Sequence, residues 1–324
     1  MKKSPPSSFA EAAGSGHSIT DWLVAACDEL PPLRTAVAHP CDADALEGAV
    51  RAAEAKLIEP ILVGPPQRIK AAAEAAKLDI TPYELVATAH SHDSAARAVA
   101  LVRAGEASAI MKGSLHTDEL MAEMMRADTG LRTGRRISHV FLMDVPTYPR
   151  PLLITDAAIN IYPTLEDKRD IVQNAIDLAR ALGTERPRVA ILSAVETVTP
   201  KIASTIDAAA LCKMADRGQI AGGLLDGPLA FDNAVSTDAA RTKGIVSEVA
   251  GRADILVVPD MEAGNMLAKQ LTFLAGAEAA GIVLGARVPI VLTSRADNVK
   301  ARLASCAVAV LTAKASAAAL AAKG

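Results

Sequence analysis

The sequence predicts an α/β protein built as two α/β domains with a cleft between them, and three observations carry that expectation. From Arg34 onward, short β-branched or aliphatic runs alternate with longer helical stretches, the pattern of βα units wound around a parallel sheet. The strands are too many for one modest sheet, and 324 residues exceed the usual size of a single core. Only 2% of the residues are aromatic, so the core must be Ala, Val, Leu and Ile, which suits buried strands covered by Ala-rich helices.

The elements follow in order. In the first half "RTAVAH" leads into "DADALEGAVRAAEA", "EPILVG" into "PQRIKAAAEAAKL", and "ASAIMKG" into "DELMAEMMRAD". In the second half "RPLLITDAA" leads into "LEDKRDIVQNAIDLARALG", and "RVAILSA" into "TIDAAALCKMADRG". "AGGLLDG", "DILVVPD" and "GIVLGARVPIVLTS" are further strands, with the helical "GNMLAKQLTFLAGAEAAG" between them and a long last helix after them. No repeat of 20 to 50 residues breaks this scheme. Residues 1–18 are rich in Pro, Ser and Gly and read as a flexible tail, lacking the apolar stretch of a signal peptide. No run reaches the ~18 uninterrupted apolar residues of a spanning helix, so the expected partners exclude the membrane and the expected location is the cytoplasm.

Composition excludes several function classes. A formal net charge of -3 gives no electrostatic reason to seek nucleic acid, and so few aromatic side chains cannot build base-stacking platforms. Cys27, Cys41, Cys212 and Cys306 lie far apart, with no C-x-x-C, so neither a zinc site nor a disulfide framework is expected. The Walker pattern, a G-x-G-x-x-G turn and a G-x-S-x-G elbow are all missing, which argues against ATP hydrolysis, a dinucleotide fingerprint and a serine hydrolase.

In open parallel sheets ligands bind beyond the carboxyl ends of the strands, where loops run into helix N-termini. Lys112 and Gly113 sit there, the lysine able to meet an anion and the glycine able to let backbone approach a ligand. "GLRTGRRISHV" gathers Arg132, Arg135 and Arg136 beside Thr133 and Ser138, a concentration of cations and hydroxyls that suits a phosphate-bearing ligand, with a basic surface loop as the alternative. Ser294, Arg295 and Asp297 follow an apolar strand and precede a helix, where the guanidinium fork and free N–H groups match oxyanions. The plainer reading makes Asp297 an N-cap and Arg295 a solvated charge. Asp156, Asp226, Asp260 and Glu262 also fall at strand ends with no diagnostic spacing, and His116 and His139 lie near these loops, where a lone histidine is more often structural.

Six of these segments occur in order: "MKGSLHTDEL", "GLRTGRRISHVFLMDVP", "LLITDAAINIYPTLEDK", "DGPLAFDNAVS", "VPDMEAGNMLAKQL" and "PIVLTSRAD". Together they closely resemble the phosphate acetyl/butyryltransferase family, and "LRTG", "VTPKIASTIDAAAL" and "IVLTSRAD" are more similar to its butyryltransferase branch. The resemblance implies the reaction acyl-CoA + phosphate ⇌ acyl phosphate + CoA through a ternary complex, with acyl-CoA, CoA and inorganic phosphate as partners. It implies CoA as a substrate with no resident cofactor or metal, and a homodimer or higher homo-oligomer. It also implies a fold like that of isocitrate and isopropylmalate dehydrogenases, two three-layer α/β domains with a central cleft: residues 19–142 and 283–324 form one, and 143–282 an inserted second.

By the same resemblance Arg295 holds the phosphoryl group and Ser294 stabilises the transition state, while Arg136 and Ser138 contribute to phosphate and acyl-phosphate binding. Arg135, Lys112, Gly113 and Asn160 join that binding set, and Asn265, Arg132 and Thr133 position CoA or substrate. The chemistry independently needs donors aimed at the thioester oxygen as it gains charge, and a base for the CoA thiol, whose pKa near ~8.5 leaves it mostly protonated at neutral pH. The acetyltransferase branch places an aspartate further past the Ser-Arg pair, near Lys300 and Ala301 here, where no acid stands; Asp297 is the candidate substitute. Two other classes remain open at this stage. One is an isocitrate-type dehydrogenase with NAD and with magnesium on Asp226 and Asp260; the other is a non-catalytic CoA-binding subunit.

Overall fold

The computed structural model describes residues 18–293 and 297–321. Ser294, Arg295 and the tail before Ser18 lie outside the described residues. In chain order the elements are α1 (Ile19–Ala25), β1 (Leu33–Ala38), α2 (Ala43–Glu54), β2 (Ile58–Gly64), α3 (Pro66–Ala76), β3 (Glu84–Ala87), α4 (Ser91–Arg103), β4 (Ala109–Lys112) and α5 (Thr117–Met124). They continue with β5 (Ser138–Asp144), β6 (Leu152–Thr155), α6 (Leu165–Ala181), β7 (Arg188–Leu192), α7 (Ala203–Asp216), β8 (Leu224–Leu229), α8 (Phe231–Val235) and α9 (Thr237–Thr242). The chain closes with β9 (Ile255–Val257), α10 (Met261–Ala275), β10 (Glu278–Leu284), β11 (Ile290–Val291) and α11 (Val299–Ala321).

The chain divides into two compact units, one spanning Thr20–Arg135 with Ala280 onward, the other Arg136–Ala279 with Ile19. In the first, the strand order is β3-β2-β1-β4-β11-β10. Strands β1 and β4 are wholly buried from Thr35 and Ala109 on, so their side chains read as continuous apolar runs. The covering helices start on side-chain caps: Asp42 accepts from the Ala45 N–H at 2.7 Å to begin α2, which satisfies one of the donors a helix leaves free.

In the second unit the order is β5-β6-β9-β7-β8, with Ile154, Ala190 and Leu256 at the centre of its core. A reciprocal capping box between Thr164 and Asp167 starts α6. Asp260 caps α10 through the Ala263 N–H at 2.9 Å. Gly276 ends that helix at φ +66°, a left-handed position that favours glycine.

Two strand pairs depart from the expected parallel sheets. β5 pairs antiparallel with β6, and β10 antiparallel with β11. The reason is connection length: five residues separate β10 from β11 and seven separate β5 from β6, too few for the crossover that a parallel pair requires. Ser18, read as the end of a flexible tail, donates from Oγ to Glu278 at 3.1 Å. By length and composition the Val299–Ala319 stretch of α11 could cross a bilayer, but half of it is buried in its own unit. Its apolarity is explained by the packing of Ala304 and Cys306–Val310 into the core.

Candidate active site

In the unit 136–279 the end of β6 delivers Asp156 into a loop that folds back around its carboxylate. Oδ1 accepts from the N–H groups of Ala158 at 2.9 Å and Ile159 at 3.0 Å, and Oδ2 accepts from the Asn160 N–H at 3.2 Å. The Asn160 side chain adds a further bond to Oδ2 and donates to the Ile137 carbonyl at 2.9 Å. Both amide hydrogens are thus committed, which fixes the amide orientation and leaves Oδ1 to accept from Arg136 Nε at 2.7 Å. Burial pushes the Asp156 carboxyl above the usual carboxylate range, while these donors pull against it.

Arg136 is held on a second side by acids of α6. Its N–H donates to Asp170 at 2.9 Å, and its Nε lies 3.5 Å from Asp167. The side chain is 46% exposed, so the guanidinium reaches solvent while its stem is anchored. Such an arrangement suits a planar oxyanion fork whose direction is set before the ligand arrives.

Ser138 opens β5. It is fully buried, and its Oγ accepts from Asn174 at 2.8 Å. Asn174 also donates to the Arg136 carbonyl at 2.9 Å, so this pair secures the start of β5 beneath Arg136. Asn265 donates to the Ala157 carbonyl at 3.2 Å, tying α10 to the Asp156 loop. The neighbouring Gly264 is required by packing, since a Cβ there would lie 2.8 Å from the Asp156 carbonyl oxygen.

In the unit 20–135 with 280–321, Lys112 is buried at the end of β4 and borders a cavity of 160 Å³ with Asp42, Thr293 and Arg302. Gly113 lines the same cavity, and a Cβ there would lie 2.5 Å from the carbonyl oxygens of Ala38 and His39. Its smallness serves the close approach of the backbone at the end of β1. Thr133 Oγ1 donates to the Gly285 carbonyl at 2.6 Å and accepts from the Arg135 N–H at 3.1 Å. Arg132 bridges to Ala286, so the exposed loop carrying Arg132 and Arg135 is pinned to the turn between β10 and β11.

Asp297 is half-buried and is not the cap of α11. Asn298 takes that place, accepting from the Ala301 N–H at 2.9 Å. Arg302, which no sequence motif singled out, is 4% exposed and donates from Nη1 to Thr293 Oγ1 at 2.9 Å. Gly48 of α2 makes room for it, since a Cβ at Gly48 would lie 2.4 Å from the Arg302 Cδ. The available signal was a cation between Val299 and Cys306, on the apolar stripe of the last helix.

The remaining candidates are placed as follows. His116 is exposed at the start of α5 without a side-chain cap. His139 is wholly buried against Phe141, both ring nitrogens unpartnered, and burial pushes its pKa down to about 3. Asp226 accepts from the Gly227 N–H, Asp260 is a cap, and Glu262 accepts from the Tyr162 hydroxyl. Among the described residues no group of three His, Cys, Asp or Glu could hold a metal ion.

Comparison with known proteins places this arrangement. The family model described as phosphate acetyl/butaryl transferase matches residues 83–310. A phosphate acetyltransferase of Rhizobium meliloti is 67% identical over 291 residues, covering 90% of this chain and 92% of that one. A phosphate butyryltransferase of Clostridium beijerinckii is 41% identical over 293 residues, covering 90% and 97%. Among solved structures, a branched-chain phosphotransacylase from Enterococcus faecalis V583 matches with a TM-score of 0.76 at 30% identity, covering 87% of this chain and 99% of that one. With the family model matching well over half its length and these relatives matching nearly all of it, the chain belongs to the phosphate acetyl/butyryl transferase family.

Proposed function

We propose that the chain transfers a short-chain acyl group between CoA and inorganic phosphate, acyl-CoA + phosphate ⇌ acyl phosphate + CoA, in a ternary complex. The observation that carries this reading is the near full-length identity to a relative named phosphate acetyltransferase. Identity to that relative exceeds identity to the butyryltransferase, which supports acetyl as the preferred group even though the Ser-Arg segment resembles the butyryl branch.

A phosphate oxygen attacks the thioester carbon, the carbonyl oxygen gains charge, and the C–S bond breaks to release CoA as thiolate. Each step needs positioned cations and donors more than it needs covalent help. Arg136, oriented by Asn160, is suited to hold phosphate or acyl phosphate. By family resemblance Arg295 holds the phosphoryl group and Ser294 steadies the oxyanion. In the reverse direction Asp297 removes the thiol proton. Lys112, Arg132, Thr133, Arg135 and Asn265 complete the binding set as supporting groups.

The finer architecture, two domains of the isocitrate dehydrogenase kind assembled as a homodimer in the cytoplasm, belongs to the same proposal. The test is to incubate the chain with acetyl-CoA, phosphate and hydroxylamine. Acetyl hydroxamate forming only when phosphate is present supports the proposal. Reduction of NAD with a 2-hydroxy acid and magnesium, without hydroxamate, overturns it in favour of the dehydrogenase reading.

A further inference from the structure

The unit 136–279 holds another cavity, of 860 Å³, at the end of its sheet away from Asp156. Strands β6 and β9 run parallel. Asp156 and Asp260 follow their carboxyl ends, whereas Arg150 and Arg252, which line this cavity, precede their amino ends. The lining brings together Arg150, Arg241 and Arg252 with the hydroxyls of Ser236, Thr237 and Ser247, and contains no carboxylate.

The acids that engage these arginines are outside the lining and are shared or weak. Asp254 takes Arg150 Nη1 at 3.1 Å while also accepting from the Arg188 N–H at 2.8 Å and facing Arg188 Nη1 at 3.6 Å. Asp238 meets Arg241 at 3.2 Å with both side chains about four-fifths exposed (78% and 85%), where solvent screening leaves little net attraction. Arg150 Nε is buried with no hydrogen-bond partner, so the stem of this side chain is enclosed and its guanidinium edge is what can meet a ligand. Val235 and Ile245 form an apolar part of the wall.

We propose that this cavity binds an organic phosphate of nucleotide size. The phosphate sits on the guanidiniums of Arg150, Arg241 and Arg252, and the apolar portion lies against Val235 and Ile245. Guanidinium forks match phosphate oxygens in pairs. The volume falls in the range of cavities that enclose whole small molecules and exceeds what inorganic phosphate needs. The proposal rests on the geometry of this unit and not on the transferase reading, so either can fail without the other.

The experiment is an equilibrium titration of the full chain with ATP in inorganic phosphate, with CoA left out because CoA is itself an organic phosphate of nucleotide size; an Arg241→Ala, Arg252→Ala double variant separates this cavity from the transferase site. A parallel titration uses inorganic pyrophosphate. Saturable ATP binding is expected, weaker by about tenfold or more in the Arg241→Ala, Arg252→Ala double variant with its melting temperature unchanged, and tighter than pyrophosphate binding. Absence of ATP binding to the unaltered chain, or equal affinity in the double variant, overturns the site. Equal affinity for ATP and pyrophosphate overturns the role given to the apolar wall. Should the double variant melt early, Arg241→Gln, at an exposed position, supplies the second comparison, with weaker ATP binding expected and an unchanged affinity counting against the site.

Discussion

Arg302 donates from Nη1 to the Thr293 hydroxyl at 2.9 Å, so a buried guanidinium on α11 holds the residue immediately before Ser294. The bond is charge-assisted and shielded from water, which places it among the stronger kinds of hydrogen bond. Thr293→Val keeps the shape and removes the hydroxyl that accepts from the buried Arg302 Nη1. A loss of roughly 1–3 kcal/mol in unfolding free energy is expected, measured by chemical denaturation. A fall in turnover larger than the fall in phosphate affinity is expected as well, because the role proposed for the Ser-Arg pair is on the transition state.

Asn160 links Asp156 to Arg136 with every polar atom of its side chain engaged. Asn160→Leu frees Arg136 from its orienting bond and strips a donor from a buried carboxylate. The expected outcome is a rise in the KM for phosphate of about tenfold or more, corresponding to roughly 1.4 kcal/mol, while the KM for acetyl-CoA moves little. Steady-state kinetics with each substrate varied in turn separates the two.

Gly113 and Arg302 show what could and could not be read from the residues alone. Strands such as β1 and β4 were legible, because fully buried parallel strands read as unbroken apolar runs. The antiparallel directions of β5 against β6 and β10 against β11 were not, since an apolar run carries no direction, and "GIVLGARVPIVLTS" reads as one run although Gly285 to Pro289 divide it into β10 and β11. The candidate loops stood out by lying after strands. Which side chains they pair is set by contacts such as Asn160 to Arg136, 24 residues apart, and no local pattern encodes those. Gly113 was legible as a close approach, and the backbone it meets is that of Ala38 and His39.

His139 makes stability sensitive to acid. Its folded pKa of about 3 lies below the ordinary value of 6.5, so the unfolded chain binds the proton more readily between those values. Stability from this group is fully retained above pH 6.5 and is lost as pH falls toward 3, the loss reaching about 2 kcal/mol at pH 5. His139→Phe removes both the titration and two unpartnered buried nitrogens. Melting curves at pH 7 and pH 5 are expected to differ less for the variant than for the unaltered chain.

All four thiols are pushed up by burial, Cys41 to about 11 and Cys27, Cys212 and Cys306 to about 12. At neutral pH almost no thiolate is present to react. Treatment with iodoacetamide at pH 7.5 is expected to leave the transferase rate unchanged, and rate assays before and after alkylation check it.

The proposed reaction is tested most directly by following the CoA thiol released from acetyl-CoA, with and without inorganic phosphate, for the unaltered chain and for Arg295→Ala. Release that requires phosphate, and that drops by about a hundredfold or more in the folded variant, is the predicted result. Release at the same rate without phosphate, or undiminished in Arg295→Ala, would contradict it.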